Sequence, residues 1–309
     1  MTLARKTLYI LVALAMVVTM MLAALPVAPA SAQGPILYGA AHQGPDGPCT
    51  LYSISTTSGV ATPIGPIGFE RVGGMDFAAD GTLYATAERA DGTDTPVLIT
   101  IAIVTGAGTE VGPTGMTGAI GDISFRSDGV LFAFDAMGAN HQLYTVDTTT
   151  GAAALVGATG LSFSGGNGIA FSPADVLYHS NRENVHTLNQ ATGAATVLGA
   201  PVYSPPADDD PRMNAKDYRP GTGILFASLN DGDGEIIENY LATLDTATLV
   251  VTIIGPTVDG LDAIAFAPPP RPTGVPTLSQ WGMIGMGLLF AAFLIWTVSR
   301  RWAVSARES

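Results

Sequence analysis

Cysteine is nearly absent: Cys49 is the only one in 309 residues, so no internal disulfide can hold the chain together. A lone thiol is buried or paired with another chain, and no histidine stands at an offset that would make Cys49 a nucleophile. Burial is the expectation. Basic residues are also few, with lysine and arginine totalling 13 against 26 acids for a net charge of −13. Over 36–268 the count is 7 against 25, or −18, a field that repels phosphate backbones and anionic lipid and argues against nucleic-acid binding. It is compatible with cations, or with solubility outside the cell. The four histidines (His42, His141, His179, His186) show no metal-ligand spacing, and His179 and His186, on strand-like runs, are read as structural or solvent-exposed. No stretch of 36–268 carries a helical period of 3.6, which removes architectures built on helices.

What the chain does have is a repeat. An apolar-aromatic pair falls at Leu37-Tyr38, Leu83-Tyr84, Leu131-Phe132, Leu177-Tyr178 and Leu225-Phe226, in steps of 46, 48, 46 and 48 residues. A second marker falls at Phe77, Phe125, Phe171, Tyr218 and Phe266, in steps of 48, 46, 47 and 48. Two independent ladders share one period. Each unit holds four short strand-like runs cut by Gly, Asp, Asn and Pro; in the third unit these are 130–135, 142–147, 153–157 and 166–172. Four strands per unit of about 45 residues is the signature of a β-propeller blade, because one such sheet cannot bury both faces alone and must stack on its neighbours. With 47% hydrophobic residues, 36–268 is long enough for a single such domain.

The phase of the repeat adds detail. The runs FAADG and FRSDG, followed at once by TLYATAE and VLFAFD, resemble the first two strands of blades in NHL-type and related propellers. On that phase the chain enters at a second strand (Ile36–Ala40) and ends on an innermost one (Gly260–Ala267), which would complete the first blade and close the ring. Five innermost strands give an all-β fold of five four-stranded blades. The resemblance is to the architecture; the Trp-Asp, kelch double-glycine and quinoprotein tryptophan signatures are missing.

The two ends of the chain read as addresses. Residues 1–32 have a secretory signal's charged start (Arg5, Lys6), apolar run (Leu8 to Leu25) and A-x-A site (Ala30-Ser31-Ala32), so signal peptidase should leave a chain beginning near Gln33. No cysteine follows the apolar run, which argues against a lipoprotein. Residues 269–274 form a proline-rich linker. Trp281 to Val298 is 18 residues, enough to cross a bilayer, with Trp281, Trp296 and Trp302 at the interfaces and Arg300, Arg301 and Arg307 beyond the span keeping the tail 303–309 inside. The stretch before it, VPTLSQWG (275–282), resembles the signature of the IPTL-CTERM protein-sorting domain, a relative of the PEP-CTERM signals, with Val275 for the usual isoleucine and Pro276, Thr277, Leu278, Trp281 and Gly282 in position. Motif, apolar helix and basic residues (Arg300, Arg301) occur in the family's order over 275–302. The resemblance implies recognition by an exosortase-type membrane protease of Gram-negative bacteria and cleavage near the motif. It says nothing of the repeat region.

Within the repeat, long polar links (41–50, 88–96, 135–141, 200–212, 230–239) all fall on one face of a propeller, and binding residues concentrate on such loops. Asp231, Asp233 and Glu235, spaced by glycines, have the oxygen-rich character of a calcium loop without the twelve-residue EF-hand spacing, so both a calcium site and an ordinary solvated loop fit them. Asp76, Asp122, Asn167, Asp217 and Asp262 fall at the channel-facing ends of the innermost strands; recurring at similar places, they read as strand and turn caps. No catalytic constellation is visible. The expectation is a non-catalytic surface or matrix protein that binds an unidentified surface or matrix ligand or serves as a purely structural coat component, the alternative a calcium-dependent propeller hydrolase of the lactonase kind.

Overall fold

The computed structural model describes residues 34–42, 47–91, 95–117, 120–136, 141–162, 165–205, 211–231 and 238–269, with the backbone alone at 231 and 238, together with 287, 288, 293 and 296. Contacts divide the chain after Ala267. Among the described residues, the first part holds twenty strands. In chain order they are β1 (Leu37–His42), β2 (Pro48–Ile54), β3 (Ala61–Phe77), β4 (Leu83–Glu88), β5 (Pro96–Ile101), β6 (Gly108–Pro113), β7 (Ile120–Phe125), β8 (Leu131–Asp135), β9 (Gln142–Val146) and β10 (Ala153–Ala158). Then come β11 (Ile169–Phe171), β12 (Leu177–Ser180), β13 (Val185–Leu188), β14 (Ala195–Gly199), β15 (Val202–Ser204), β16 (Arg212–Tyr218), β17 (Leu225–Asp231), β18 (Glu238–Leu244), β19 (Val250–Pro256) and β20 (Leu261–Phe266).

All but β15 sort into antiparallel four-stranded units. The sheet β20-β1-β2-β3-β4-β5-β6 counts as two of these, because β3 is shared. Its first half pairs with β2 and its second half with β4, with a register break between Glu70 and Gly74. The third unit is β7 to β10, the fourth β11 to β14, and the fifth β16 to β19. The closing strand pairs as the phase of the ladders requires: Leu37 faces Phe266, Gly39 faces Ile264 and Ala40 faces Ala263 across β1 and β20. The innermost strands touch in the cyclic order β20, β3, β7, β11, β16 and back to β20.

Alternation explains how each sheet serves two seams, since successive side chains point to opposite faces. In β12, Leu177 packs toward the third unit with Phe132, Phe134 and Phe171, while Tyr178 packs toward the fifth with Leu225 and Met213. The aromatic ladder residues meet across these seams. Tyr38 lies 5.7 Å from Phe77, Tyr84 5.6 Å from Phe125, Phe132 5.2 Å from Phe171, and Phe226 5.0 Å from Phe266.

At the outer rim, four seams share one device. A glycine in the fourth strand of one unit presses on the turn of the next: a Cβ on Gly112 would sit 2.2 Å from the Thr150 carbonyl oxygen, and Gly65, Gly157 and Gly255 meet Thr105, Thr192 and Ser58 in the same way. The fourth-to-fifth seam departs from this. Leu249 (φ 59) takes the left-handed turn position that glycine holds elsewhere and packs into the core. The unanticipated strand β15, within the longest link of the sequence, then lies parallel on β19.

Candidate functional site

Several buried polar groups stand on the innermost strands, and their positions follow from the repeat. Aligned on the aromatic marker, the innermost strands carry Met75, Ile123, Ile169, Lys216 and Ile264 at one position. Lys216 is thus a lysine in an apolar ring, 1% exposed. Its Nζ donates to the Gly168 carbonyl of the fourth unit at 2.7 Å, in space that a side chain at 168 would fill. Asp122, fully buried, accepts backbone N–H groups from Ile123 (2.9 Å), from Ile169 of the fourth unit (2.9 Å) and from Lys216 of the fifth (3.1 Å). Burial pulls the Lys216 ammonium down to about 7 and pushes the Asp122 carboxyl up, while each charge holds the other partly in place.

Asp76 and Asp217 work between units. Asp76 accepts from Phe77 at 2.7 Å and from Phe125 of the third unit at 2.6 Å; Asp217 accepts from Phe266 of the first unit at 2.6 Å. These are edge N–H groups with no ladder partner of their own, which a buried strand must satisfy somewhere. Desolvation raises Asp76 to about 7, and raises Asp217 as well, with the Asp76 charge adding to the effect.

The five polar residues singled out in the sequence therefore do not share one position or one role. Asp76 and Asp217 stand one residue before the marker, Asp122 three, and Asn167 and Asp262 four. Asp262 belongs to a separate, part-exposed cluster, 3.1 Å from His42 Nε2 and accepting the Asn214 amide at 2.9 Å. Among the described residues, no three His, Cys, Asp or Glu side chains are placed to hold a metal. Cys49 is 2% exposed, its sulfur accepting the Val72 N–H at 3.4 Å, and burial pushes the thiol up to about 11.

His179 and His186 depart from the solvent-exposed option of their expectation. They are 0% and 1% exposed, paired across β12 and β13 with their Nδ1 atoms 3.3 Å apart. The hairpin Ser180–Val185 makes 179 and 186 register partners, a signal that the spacing of seven contained. Lys216 too was legible as the one charge at an apolar ladder position; sequence reasoning passed over both.

The calcium candidates Asp233 and Glu235 lie outside the described residues, and of Asp231 only the backbone, paired with Glu238, is described. Val275, Pro276, Thr277, Leu278, Trp281, Gly282, Arg300 and Arg301 also lie outside them, as does the signal segment 1–32. Of 281–298 the described residues are Gly287, Leu288, Phe293 and Trp296, all helical; among the described residues no helix is long and apolar enough to cross a membrane.

Comparison with known proteins gives the C-terminal segment its identity. Residues 273–301 match the IPTL-CTERM motif, and the chain carries that sorting signal. No curated protein sequence matches the chain significantly. Among solved structures, a chain of a nidogen/laminin complex aligns over 76% of this chain and 99% of its own, at 14% identity and a TM-score of 0.49. TolB from Acinetobacter baumannii aligns over 72% and 52%, at 18% identity and 0.42. A protein of unknown function from Bacteroides caccae aligns over 75% and 99%, at 10% identity and 0.42.

Proposed function

We propose that the chain is an exported five-bladed β-propeller with a binding or structural role, displayed at the cell surface or in its matrix and delivered there by its C-terminal signal. The observation that carries this reading is the IPTL-CTERM motif at 273–301, which implies processing by an exosortase-type system and export to the cell envelope. Leu288, Phe293 and Trp296 support a transient membrane anchor, for all three are more than half exposed in their helical segment. Large apolar side chains on a helix surface need a non-aqueous partner. The cyclic contact of the five innermost strands supports the blade count.

The non-catalytic role rests on how the axial groups are used. Asp76, Asp122 and Asp217 each hold backbone N–H groups of neighbouring units, and Lys216 holds a carbonyl. Such side chains are fixed in place and shielded from substrate. Binding is assigned instead to the long-loop face. Antibody labelling of intact cells tests the address: the protein should be reached in the parent strain and lost from the surface when the exosortase-type protease is deleted. Equal labelling in both strains would refute the sorting route. Thermal melting in a calcium series tests the loop at 231–235, because an ion bound only by the native state must raise the melting temperature.

A further inference from the structure

Three of the four histidines in the chain meet at one seam, between the third and fourth units. His179 on β12 and His186 on β13 face each other at 3.3 Å through their Nδ1 atoms, so one ring donates and the other accepts, and the neutral pair holds two protons, one in the shared bond and one on the Nε2 of the accepting ring. The Nε2 of His179 is buried and has no hydrogen-bond partner among the described residues. Across the seam, Phe134 of β8 lies 4.4 Å from the His179 ring, and its other neighbour is His141, stacked at 6.0 Å and 2% exposed.

Among the described residues, the surroundings offer little compensation for charge. Lys216, on β16, acts electrostatically on both rings and disfavours a charge on either. The Glu183 carboxylate in the β12–β13 turn acts on His186 alone, as the weakest influence on it. Asp122 on β7 is engaged by three backbone N–H groups and by the Lys216 charge. The cross-strand partners on β11 and β14 are Ile169 and Val197, which do not titrate.

We propose that this seam is an acid-sensitive joint: charging the His179–His186 pair adds a third proton, so that both Nε2 atoms carry one and that of His179 meets no acceptor among the described residues, and acidification thereby loosens the third unit from the fourth while the other seams stay closed. Burial and the neighbouring Lys216 hold both imidazoles below their ordinary range, consistent with that geometry. For a base depressed in the folded state, the open form binds protons that the closed form does not. Closure is therefore complete above the unfolded histidine value of about 6.5 and weakens as pH falls below it, by up to about tenfold per histidine per pH unit. The axial carboxyls have the opposite dependence, because acid neutralises groups that burial already disfavours as anions. A global melting temperature would mix the two, so the test must be local.

Hydrogen exchange on the full chain, read by mass spectrometry at pH 7.5 and 5.0 after correction for intrinsic rates, resolves the seams. Amides of β8, β11, β12 and β13 should lose at least about tenfold in protection at pH 5.0, those of β17 and β18 should not, and the variant His179→Phe/His186→Leu should keep its seam protected at both values. Unchanged seam protection in the wild type, or equal loss in the variant, overturns the proposal. Should the variant fail to fold, imidazole nitrogen resonances of the wild type decide: the pair must stay uncharged at pH 6, and titration of both rings near 6.5 overturns it.

Discussion

Lys216 and Asp76 are two buried groups whose linkage to folding runs in opposite directions. The Lys216 ammonium, pulled to about 7 by burial, meets an unfolded value near 10.5. Between those values the unfolded chain holds more protons, so stability rises with pH, at up to about 1.4 kcal/mol per unit. Lys216→Met, which places there what Met75 supplies in the second unit, should abolish that rise in denaturant melts taken from pH 7 to 10. Asp76 is raised from 3.8 to about 7, so the folded state holds the extra proton and stability falls as pH climbs through that window. Asp76→Asn should flatten the fall while lowering stability throughout, since an amide offers one acceptor oxygen where two N–H groups are held. The ladder alignment marks Lys216 as an exception, but its partner cannot be read from the chain, because Gly168 lies 48 residues away and one unit over. The same holds for Asp122, whose Lys216 contact spans 94 residues.

At the scale of elements, the periodic markers made most of the fold legible. The strand order, the pairing of β20 with β1 and the aromatic contacts between units all follow from two ladders with one period. What they could not convey is how each seam is locked at its rim, which depends on backbone approach between turns of different units. Gly112→Ala tests that lock. Its new Cβ would fall 2.2 Å from the Thr150 oxygen, which is rigid backbone, so the second and third units must part. A loss of about 2–3 kcal/mol is expected from such overpacking, read by urea denaturation. Strand β15 escaped notice because three residues, VYS, carry no period of their own, and only the parallel edge of β19 makes them a strand.

The first and last strands of the repeat region, β1 and β20, pair in one sheet, which predicts a single cooperative body instead of an open array. Removing residues 260–268 takes the innermost strand from the first unit and the Phe266 N–H from Asp217, and should abolish the cooperative melt; an open array would lose only its last repeat. The chain carries a sorting signal at 273–301, and with the secretory leader expected over 1–32 we propose that the molecule is exported and processed at both ends. The most direct measurement of that claim is the intact mass of the protein recovered from the cell surface. A chain beginning near Gln33 and ending near 275–282, without Arg300 and Arg301, is the predicted result; surface molecules that all retain Arg301 would contradict it and make the C-terminal segment a plain anchor.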